Sequence, residues 1–369
     1  MNFDLSDEQK LLAEQVRGFL GERATFDGLR RLIDAGTDID APLWTDLGAM
    51  GFLSAAIPEA HGGLGLAELD LGVISEELGR CNAAVPFFSS IVLVADAIRL
   101  AGSPAQQAEW LPRLASGEII GCFASAEGPG PLLGAATHHD AGHLTGFKTP
   151  VADAGVAAIA LVTCGDALAL VQLDQPGVTR TRLDSFDQLR PHYRLDFNGA
   201  AVELLPGGSA NLVETLIDRA AVQAAFEAVG AAQACLDMAR AYAADRRIFG
   251  RPLASYQAIK HKLADLVVAI ELARSNAYFA AWAAADAPDQ LPAAAAAARL
   301  TAIAAFEMAA RENLQVHGGI GYTFDANCHF FYRRERLLAV NLGGREAWAN
   351  RLIAQLPGTQ MVSDTTGAG

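Results

Sequence analysis

The chain has 369 residues, 51% of them hydrophobic, and its 42 Asp and Glu residues outnumber its 28 Lys and Arg residues, giving a formal net charge of −14. This length exceeds that of one typical hydrophobic core, so we expect two or three domains. An acidic surface repels nucleic acid and anionic lipid, so neither is an expected partner.

The first zone, residues 1–120, is predicted to be a helical domain. MNFDLSDEQKLL has neither a basic stretch nor an apolar core, so it does not resemble a signal peptide. Instead Ser6 precedes an acidic first turn, as at a helix start, and apolar residues follow at helical spacing. The Gly-rich loop EAHGGLGLAE precedes a second long helical run, and GSPAQQAEWLPRLASGE adds a short helix.

The second zone, residues 121–208, is predicted to be a compact β domain. GVAAIALVTC and ALALVQLDQ are apolar runs split by a Gly165-Asp166 turn, and Asn198-Gly199 is a strong hairpin signal. GPGPLLG misses the dinucleotide spacing GxGxxG and leads into AATHHDAGHLTG, which cannot form the required helix. We therefore predict a plain loop there, and a solvated loop for His138, His139 and His143.

The third zone, residues 209–357, is predicted to be a four-helix bundle, followed by a flexible tail at 358–369. Asn211 to Glu214 resembles a capping box at the start of the first helix, and later helices start near Ser255 and after Pro292. No uninterrupted apolar run is expected to cross a bilayer. Five scattered cysteines without CxxC spacing favour a reducing cytoplasm and structural thiols over disulfides or a metal site.

Two stretches of the bundle carry chemistry. In RRIFGRPLASYQ, Arg246 and its neighbours form a basic cluster, with Phe249 in the turn and Gln257 opening the next helix. This cluster either complements a helix dipole or binds an anion, and the residues alone leave both open. In QVHGGIGYTF, Gln315 precedes Gly318 and Gly319, which either cap the helix or let the backbone approach a bulky group closely.

These two motifs, with IPEAHGGLGL and the N-terminal helix, resemble the acyl-CoA dehydrogenase family over nearly the whole chain. The resemblance implies an α+β fold: an N-terminal helical domain, a middle β domain and a C-terminal four-helix bundle. It also implies α,β-desaturation of an acyl-CoA thioester, in which a carboxylate takes the α-proton and FAD takes a hydride.

In this family FAD lies across a subunit interface, and one subunit's bundle contacts the ADP half bound to its neighbour. The positions that match those contacts are Arg246, Phe249, Gln257, Gln315, Gly318 and Gly319. The resemblance therefore implies that these six residues bind the cofactor, with the Arg supplying charge for a pyrophosphate.

The flavin-ring half of the site departs from the family pattern. In AEGPGPLL only Glu127 of the usual TEPxxGSD-like loop is retained. Further on, an aromatic residue that stacks on the ring has become Pro150, and a hydroxyl that bonds it has become Ala152. Proline also lacks an N–H. The sequence thus predicts that this chain does not hold the ring of FAD.

The catalytic base is missing as well. The alignment places Leu342, followed by Gly343, where the usual Glu stands, and Ala220 and Ala221 where some members keep it instead. Glu227 and Glu346 lie a turn or more away, and only a one-turn alignment error would make Glu346 the base. We therefore predict no catalytic residue and no metal ligand in this chain.

The selective losses predict a non-catalytic subunit of a heteromeric acyl-CoA dehydrogenase. Its partners would be a second, base-carrying family subunit, the acyl-CoA in the complex and an electron-transfer flavoprotein-type acceptor. The resemblance includes α2β2 enzymes of bacterial steroid side-chain degradation. One alternative is a self-sufficient homo-oligomeric dehydrogenase with a non-standard base, and the other is a family-fold scaffold without FAD.

Overall fold

This computed structural model describes residues 5–130 and 132–356, so the predicted tail at 358–369 lies outside the described residues. It shows the predicted α+β class. Within the described part the helices are α1 Asp7–Arg23, α2 Phe26–Ala35, α3 Ala41–Ala49, α4 Glu68–Arg80, α5 Asp96–Ala101, α6 Pro104–Ala115, α7 Ala210–Asp245, α8 Gln257–Asp286, α9 Leu291–His317, α10 Cys328–Leu338 and α11 Arg345–Ala354. The strands are β1 Gly121–Ala124, β2 His138–Asp140, β3 His143–Ala152, β4 Ile159–Cys164, β5 Ala167–Gln172, β6 Val178–Leu183, β7 His192–Ala201, β8 Glu203–Leu204, β9 Arg247–Ile248 and β10 Arg251–Pro252.

In its described part, the N-terminal zone folds into six α-helices, a π-helix and two short 3₁₀ helices. The backbone N–H of Gln9 donates to the Ser6 hydroxyl at 3.2 Å and the Gln9 side chain accepts from the Ser6 N–H at 3.0 Å, so the predicted helix start is confirmed as a capping box. The predicted second long run is interrupted: α4 ends at Arg80, and a π-helix at Phe88–Ala95 then leads into α5.

The middle zone forms two four-stranded sheets, in the orders β1-β4-β5-β8 and β2-β3-β7-β6. Gly165 and Asp166 form the predicted turn, because β4 and β5 pair antiparallel with Cys164 opposite Ala167. The predicted loop through His138, His139 and His143 is instead a hairpin, in which the exposed strand β2 pairs with β3.

The hairpin predicted at Asn198-Gly199 is wrong. The strand β7 runs straight through this pair, with Asn198 opposite Thr145 and Ala200 opposite Leu144. Gly199, at φ +68°, is the extra residue of a β-bulge on an antiparallel ladder. Long-range pairing with β3 on one side and β6 on the other thus outweighed a local turn signal.

The bundle consists of three long helices, α7, α8 and α9, and two short ones, α10 and α11, rather than four long helices. The first helix is capped by Ser209, whose side chain accepts from the Leu212 N–H at 3.2 Å, so the predicted capping box at Asn211 is wrong. Alanines line the buried faces of α7, α8 and α9, which allows these helices to pack closely.

Glycines bring the N-terminal zone against the bundle. A Cβ on Gly230 of α7 would lie 1.8 Å from the Glu76 carbonyl of α4, and one on Gly79 would lie 2.0 Å from the Glu227 carbonyl. Only glycine permits this crossing. One hydrophobic core therefore runs from α1 through the sheets to α9.

The segment Pro288–Tyr322, which contains α9, is long and apolar enough to cross a membrane by length and composition, since a stretch of 18 residues within it has a mean hydropathy of 1.3. Arg299 and Glu307 interrupt this segment, so it is not an uninterrupted apolar run. Because 61% of its apolar window is buried among the other helices, the segment has the character of a bundle core helix.

Candidate functional site

A cavity of about 670 Å³ lies between the β domain, the π-helix and the segment that joins α10 to α11. Apolar side chains form most of its wall, and polar groups gather on one part of it. Its lining residues include Phe88, Ser89, Leu93, Phe123, Ala126, Leu132, Thr149, Pro150, Ala152, Asp153, Leu183, Arg190, His192, Leu337, Asn341, Leu342 and Gly343. The positions predicted to face a flavin ring and a base are among them.

The wall at residues 149–152 offers few hydrogen-bonding groups. The Thr149 N–H donates to the Ala126 carbonyl and its carbonyl accepts from the Gly128 N–H, both at 2.8 Å. Pro150 has no N–H and Ala152 has no hydroxyl, so the Thr149 hydroxyl is the one side-chain donor of this stretch. The polar edge of a flavin ring needs several donors, so this wall does not fit the ring of FAD.

A buried ion pair shapes the neighbouring loop. The Lys148 ammonium, 0% exposed, donates to Glu127 at 2.9 Å and to the Ser125 carbonyl at 3.0 Å. The same carboxylate accepts from the backbone N–H groups of Ala136 and Thr137. Burial alone would raise the pKa of Glu127, but these hydrogen bonds, that from Lys148 above all, lower it to about 2.

Four residues form the polar end of the cavity: Ser89, Asp153, Arg190 and His192. The strand pairing of Ala152 with His192 brings the end of β3 to the start of β7, and the Asp153 N–H donates to the Pro191 carbonyl at 3.0 Å. Ser89, which lies on the π-helix, donates its hydroxyl hydrogen to the Asp153 carboxyl group. Four residues from three separate segments thus meet here.

Beneath the polar end lies a buried ionic network. Arg190 donates to both oxygens of Glu227, at 2.8 and 3.3 Å, and Arg334 donates to the same carboxylate at 3.2 Å. Arg334 also donates to Asp187 at 2.5 Å. Burial would raise the pKa of Glu227, but the two guanidinium groups hold it below its ordinary value. This carboxylate is therefore locked between two cations and does not line the cavity.

The structure places Leu342 in the cavity wall at 8% exposure, with φ +56° and Gly343 at φ +91° after it. A carboxylate at this position would face the cavity, whereas the alternative positions Ala220 and Ala221 are fully buried in α7. Glu346 is exposed on the first turn of α11. The wall thus has a leucine at the position aligned with the base.

Among the described residues, the one carboxyl group that lines the cavity is Asp153, 4% exposed. No local pattern distinguishes it, because its surroundings come from the π-helix and from residues 190–192.

The six predicted cofactor residues lie at one end of the bundle, apart from the cavity lining. Ile248 of β9 and Leu253, directly after β10, pack there against Ala243 of α7 and Val316 of α9. The Tyr242 ring stacks on His317, with 4.2 Å between the ring centroids. This cluster brings together the ends of α7 and α9 and the start of α8, and with them Arg246, Phe249, Gln257, Gln315, Gly318 and Gly319.

This end of the bundle presents groups suited to a phosphate and a flat ring. The side chain of Arg246 is exposed and has no ion pair among the described residues. Phe249 is 94% exposed at φ +50°, at the tip of the two-stranded turn. Gln257, Gln315 and Gly319 are exposed around it. An unpaired guanidinium and an unpacked aromatic ring fit the ADP half of a dinucleotide.

Comparisons with known proteins identify relatives across the full chain. Residues 6–118 match the family model described as acyl-CoA dehydrogenase, N-terminal domain, and residues 208–356 match the one described as acyl-CoA dehydrogenase, C-terminal domain. The Mycobacterium tuberculosis protein named acyl-CoA dehydrogenase FadE27 is 31% identical over 374 residues, covering 97% of this chain and 100% of that protein.

Two solved structures share both fold and sequence with this chain. A chain of the ChsE4-ChsE5 complex from Mycobacterium tuberculosis superposes with a TM-score of 0.89 at 29% identity, covering 97% of this chain and 100% of that one. A chain of a variant of the Tcur3481-Tcur3483 steroid ACAD superposes with a TM-score of 0.85 at 30% identity, covering 94% of this chain and 96% of that one.

Proposed function

Because this chain belongs to the acyl-CoA dehydrogenase family, we propose that it is the non-catalytic subunit of a heteromeric FAD-dependent acyl-CoA dehydrogenase. One contrast supports this proposal. The cavity wall has lost its base and its ring-binding groups at Leu342, Pro150 and Ala152, while the bundle end keeps an unpaired Arg246 and an exposed Phe249. A partner subunit would supply the base, the ring contacts and the acyl-CoA site.

In this arrangement the chain's own residues bind and orient rather than transfer protons. Arg246 would hold the pyrophosphate by charge, Phe249 would offer its ring for stacking, and the amides of Gln257 and Gln315 would supply hydrogen bonds. FAD, when bound, supplies the hydride acceptor for the β-carbon of the acyl-CoA. Leu342 can neither accept nor hold the α-proton, so that proton must pass to a group of the partner.

An exposed apolar stripe on α8 supports association with a second subunit. Val267, Val268 and Leu272 are each 46% exposed or more; Val268 and Leu272 lie one helical turn apart, and Val267 lies beside Val268. A second bundle packed on this stripe would bring the neighbouring bundle end close to the partner. The names of the two related structures each join two proteins, and we propose a heteromeric arrangement of the same kind here.

We further propose a bulky acyl group, of the steroid side-chain type, as the substrate of the complex. One of the related structures is named as a steroid ACAD. The chain's free cysteines suit a cytoplasmic setting, and an electron-transfer flavoprotein-type acceptor would complete the reaction.

Flavin content tests the proposal. The chain expressed alone should carry little FAD, and the complex with its partner should hold one FAD per heterodimer. Arg246→Ala in the complex should weaken FAD binding about tenfold or more, because the phosphate loses a charge-assisted hydrogen bond. Arg240→Ala, an exposed arginine on the same helix, is the matched control and should leave the flavin content unchanged.

The two alternatives give other results. A self-sufficient dehydrogenase would purify yellow alone, with about one FAD per chain, and Asp153 would have to be its base. If the chain is a scaffold that does not bind FAD, the complex containing Arg246→Ala and the wild-type complex would have the same flavin content. Either outcome would overturn the split-subunit proposal.

A further inference from the structure

The cavity of this chain remains open although its wall does not fit a flavin ring. Its volume of about 670 Å³ lies within the range of small-molecule sites, about 300–1,000 Å³. An apolar cavity left empty lowers stability, since its walls lose dispersion contacts. The cavity is therefore suited to a ligand other than flavin.

Its lining is apolar over most of its surface. The side chains that could contact an aliphatic or polycyclic ligand come from the π-helix, the β domain and the α10 end: Leu93, Phe123, Leu132, Leu183, Leu337 and Leu342. A ligand that fills this space must be bulky and apolar along most of its length.

The polar end offers a ligand no unpaired arginine or lysine. Arg190 is neutralised by its two hydrogen bonds to Glu227, and Asp153 has no ion pair among the described residues. Burial raises the pKa of Asp153, with Arg190, Ser89 and His192 offsetting part of the effect, and burial lowers the pKa of His192. Both shifts favour the uncharged forms.

His192 leaves one acceptor for a ligand. Its Nδ1 lies 3.0 Å from the Arg190 carbonyl, which can only accept, so Nδ1 carries the proton. Nε2 of the neutral ring is then an acceptor, and no described residue donates to it. A hydroxyl group can donate to this nitrogen, whereas a carboxylate has no proton to give and meets no unpaired cation.

We propose that this cavity binds an uncharged, bulky apolar molecule that carries a hydroxyl group at one end. The apolar body fills the space beside Leu342, and the hydroxyl donates to His192 at the polar end. This inference rests on the proposed absence of a flavin ring from the cavity, and it adds a second ligand site to the complex.

Titration calorimetry on the full-length chain tests the site with a matched pair of probes, 1-adamantanol and adamantane-1-carboxylate. The alcohol should bind with a negative heat-capacity change, and the carboxylate should bind at least about tenfold more weakly, because its charge would be desolvated without a counterion. Ala152→Trp should fill the cavity and abolish binding of the alcohol, whereas Ala105→Trp, at an exposed position on α6, should not change it.

His192→Phe keeps an aromatic ring and removes the acceptor, so it should weaken alcohol binding about threefold or more, and it serves where Ala152→Trp does not fold. Equal binding of the two probes, or unchanged alcohol binding in both cavity variants, would overturn the inference. The flavin absorbance of the same sample separates the two proposals. If the chain is colourless and does not bind the alcohol, this ligand site is refuted and the split-subunit proposal stands. If the isolated chain carries one FAD, the split-subunit proposal is refuted as well.

Discussion

The buried pair of Glu127 and Lys148 makes the sharpest prediction from the structure. At pH 7 the Glu127→Gln variant should lose at least about 3 kcal/mol of unfolding free energy, the value that corresponds to a pKa lowered from 4.5 to about 2. The substitution leaves the fully buried Lys148 without its counterion. It also sets an amide N–H₂ group against the N–H of Ala136 or Thr137, since each carboxylate oxygen accepts from one of them.

The pH dependence follows from the direction of the shift. Because the folded-state pKa lies below the unfolded one, the stabilisation by Glu127 is fully present above about pH 5.5 and is lost as the pH falls toward 2. The difference between wild type and variant should shrink to less than about half near pH 3. Urea unfolding followed by circular dichroism from pH 7 down to the lowest pH at which the chain folds measures it.

A surface pair provides the control. Glu118 pairs with Arg113 at 2.8 Å, but its side chain is 60% exposed, so Glu118→Gln should change stability by less than about 1 kcal/mol at any pH. A Glu127→Gln variant as stable as the Glu118→Gln variant, or a loss that stays constant between pH 7 and pH 3, would refute the reasoning.

Three further substitutions test the packing, the buried network and the missing base. Gly230→Ala should unfold the chain or lower its unfolding free energy by about 3 kcal/mol or more, because the new Cβ would meet the Glu76 carbonyl. Gly18→Ala is the control: its Cβ would meet open space, so it should stabilise α1 by up to about 1 kcal/mol. Thermal denaturation of the two variants measures the difference. Arg334→Met should cost about 3–5 kcal/mol in urea unfolding at pH 7, since it leaves the buried Asp187 without its cation and takes one of two cations from Glu227, and a loss below about 1 kcal/mol would contradict the network. Leu342→Glu should leave the isolated chain colourless and inactive toward a short-chain acyl-CoA in a dye-reduction assay, because a base alone does not restore the ring contacts; turnover by this variant would show that the wall does hold a flavin.

The sequence correctly predicted features of the fold that depend only on neighbouring residues. The Ser6 cap and the Gly165-Asp166 turn depend on residues a few positions apart, and both are confirmed. Asn198-Gly199 has the same kind of local signal, but two partner strands hold it in a bulge. The capping residue of α7 was misplaced by two positions because Ser209 and Asn211 are both good caps, and only the backbone direction selects one.

The candidate sites differ in the same way. The six bundle-end residues lie in two short motifs, so the family pattern alone identified them, although their role in FAD binding stays a prediction. The polar end of the cavity depends on Ser89, Asp153, Arg190 and His192, which only the tertiary fold brings together. Neither composition nor spacing could have indicated that these side chains share one surface.

Under the proposed function, the differences between this chain and the family pattern follow the role of each residue rather than its place in the sequence, and Glu127 is the example. Glu127 belongs to the same divergent loop that lost its hydroxyl and acidic partners, yet it is retained, and the structure gives it a purely internal task of holding the loop to Lys148. Pro150, Ala152 and Leu342 stand at positions whose side chains would face a ligand, and these are the ones replaced. A chain that no longer folded would be as free to replace Glu127 as to replace the base, because an internal ion pair stabilises only the folded structure. Retention of the internal contacts together with replacement of the ligand contacts is what a folded subunit needs when the chemistry is carried out by another polypeptide.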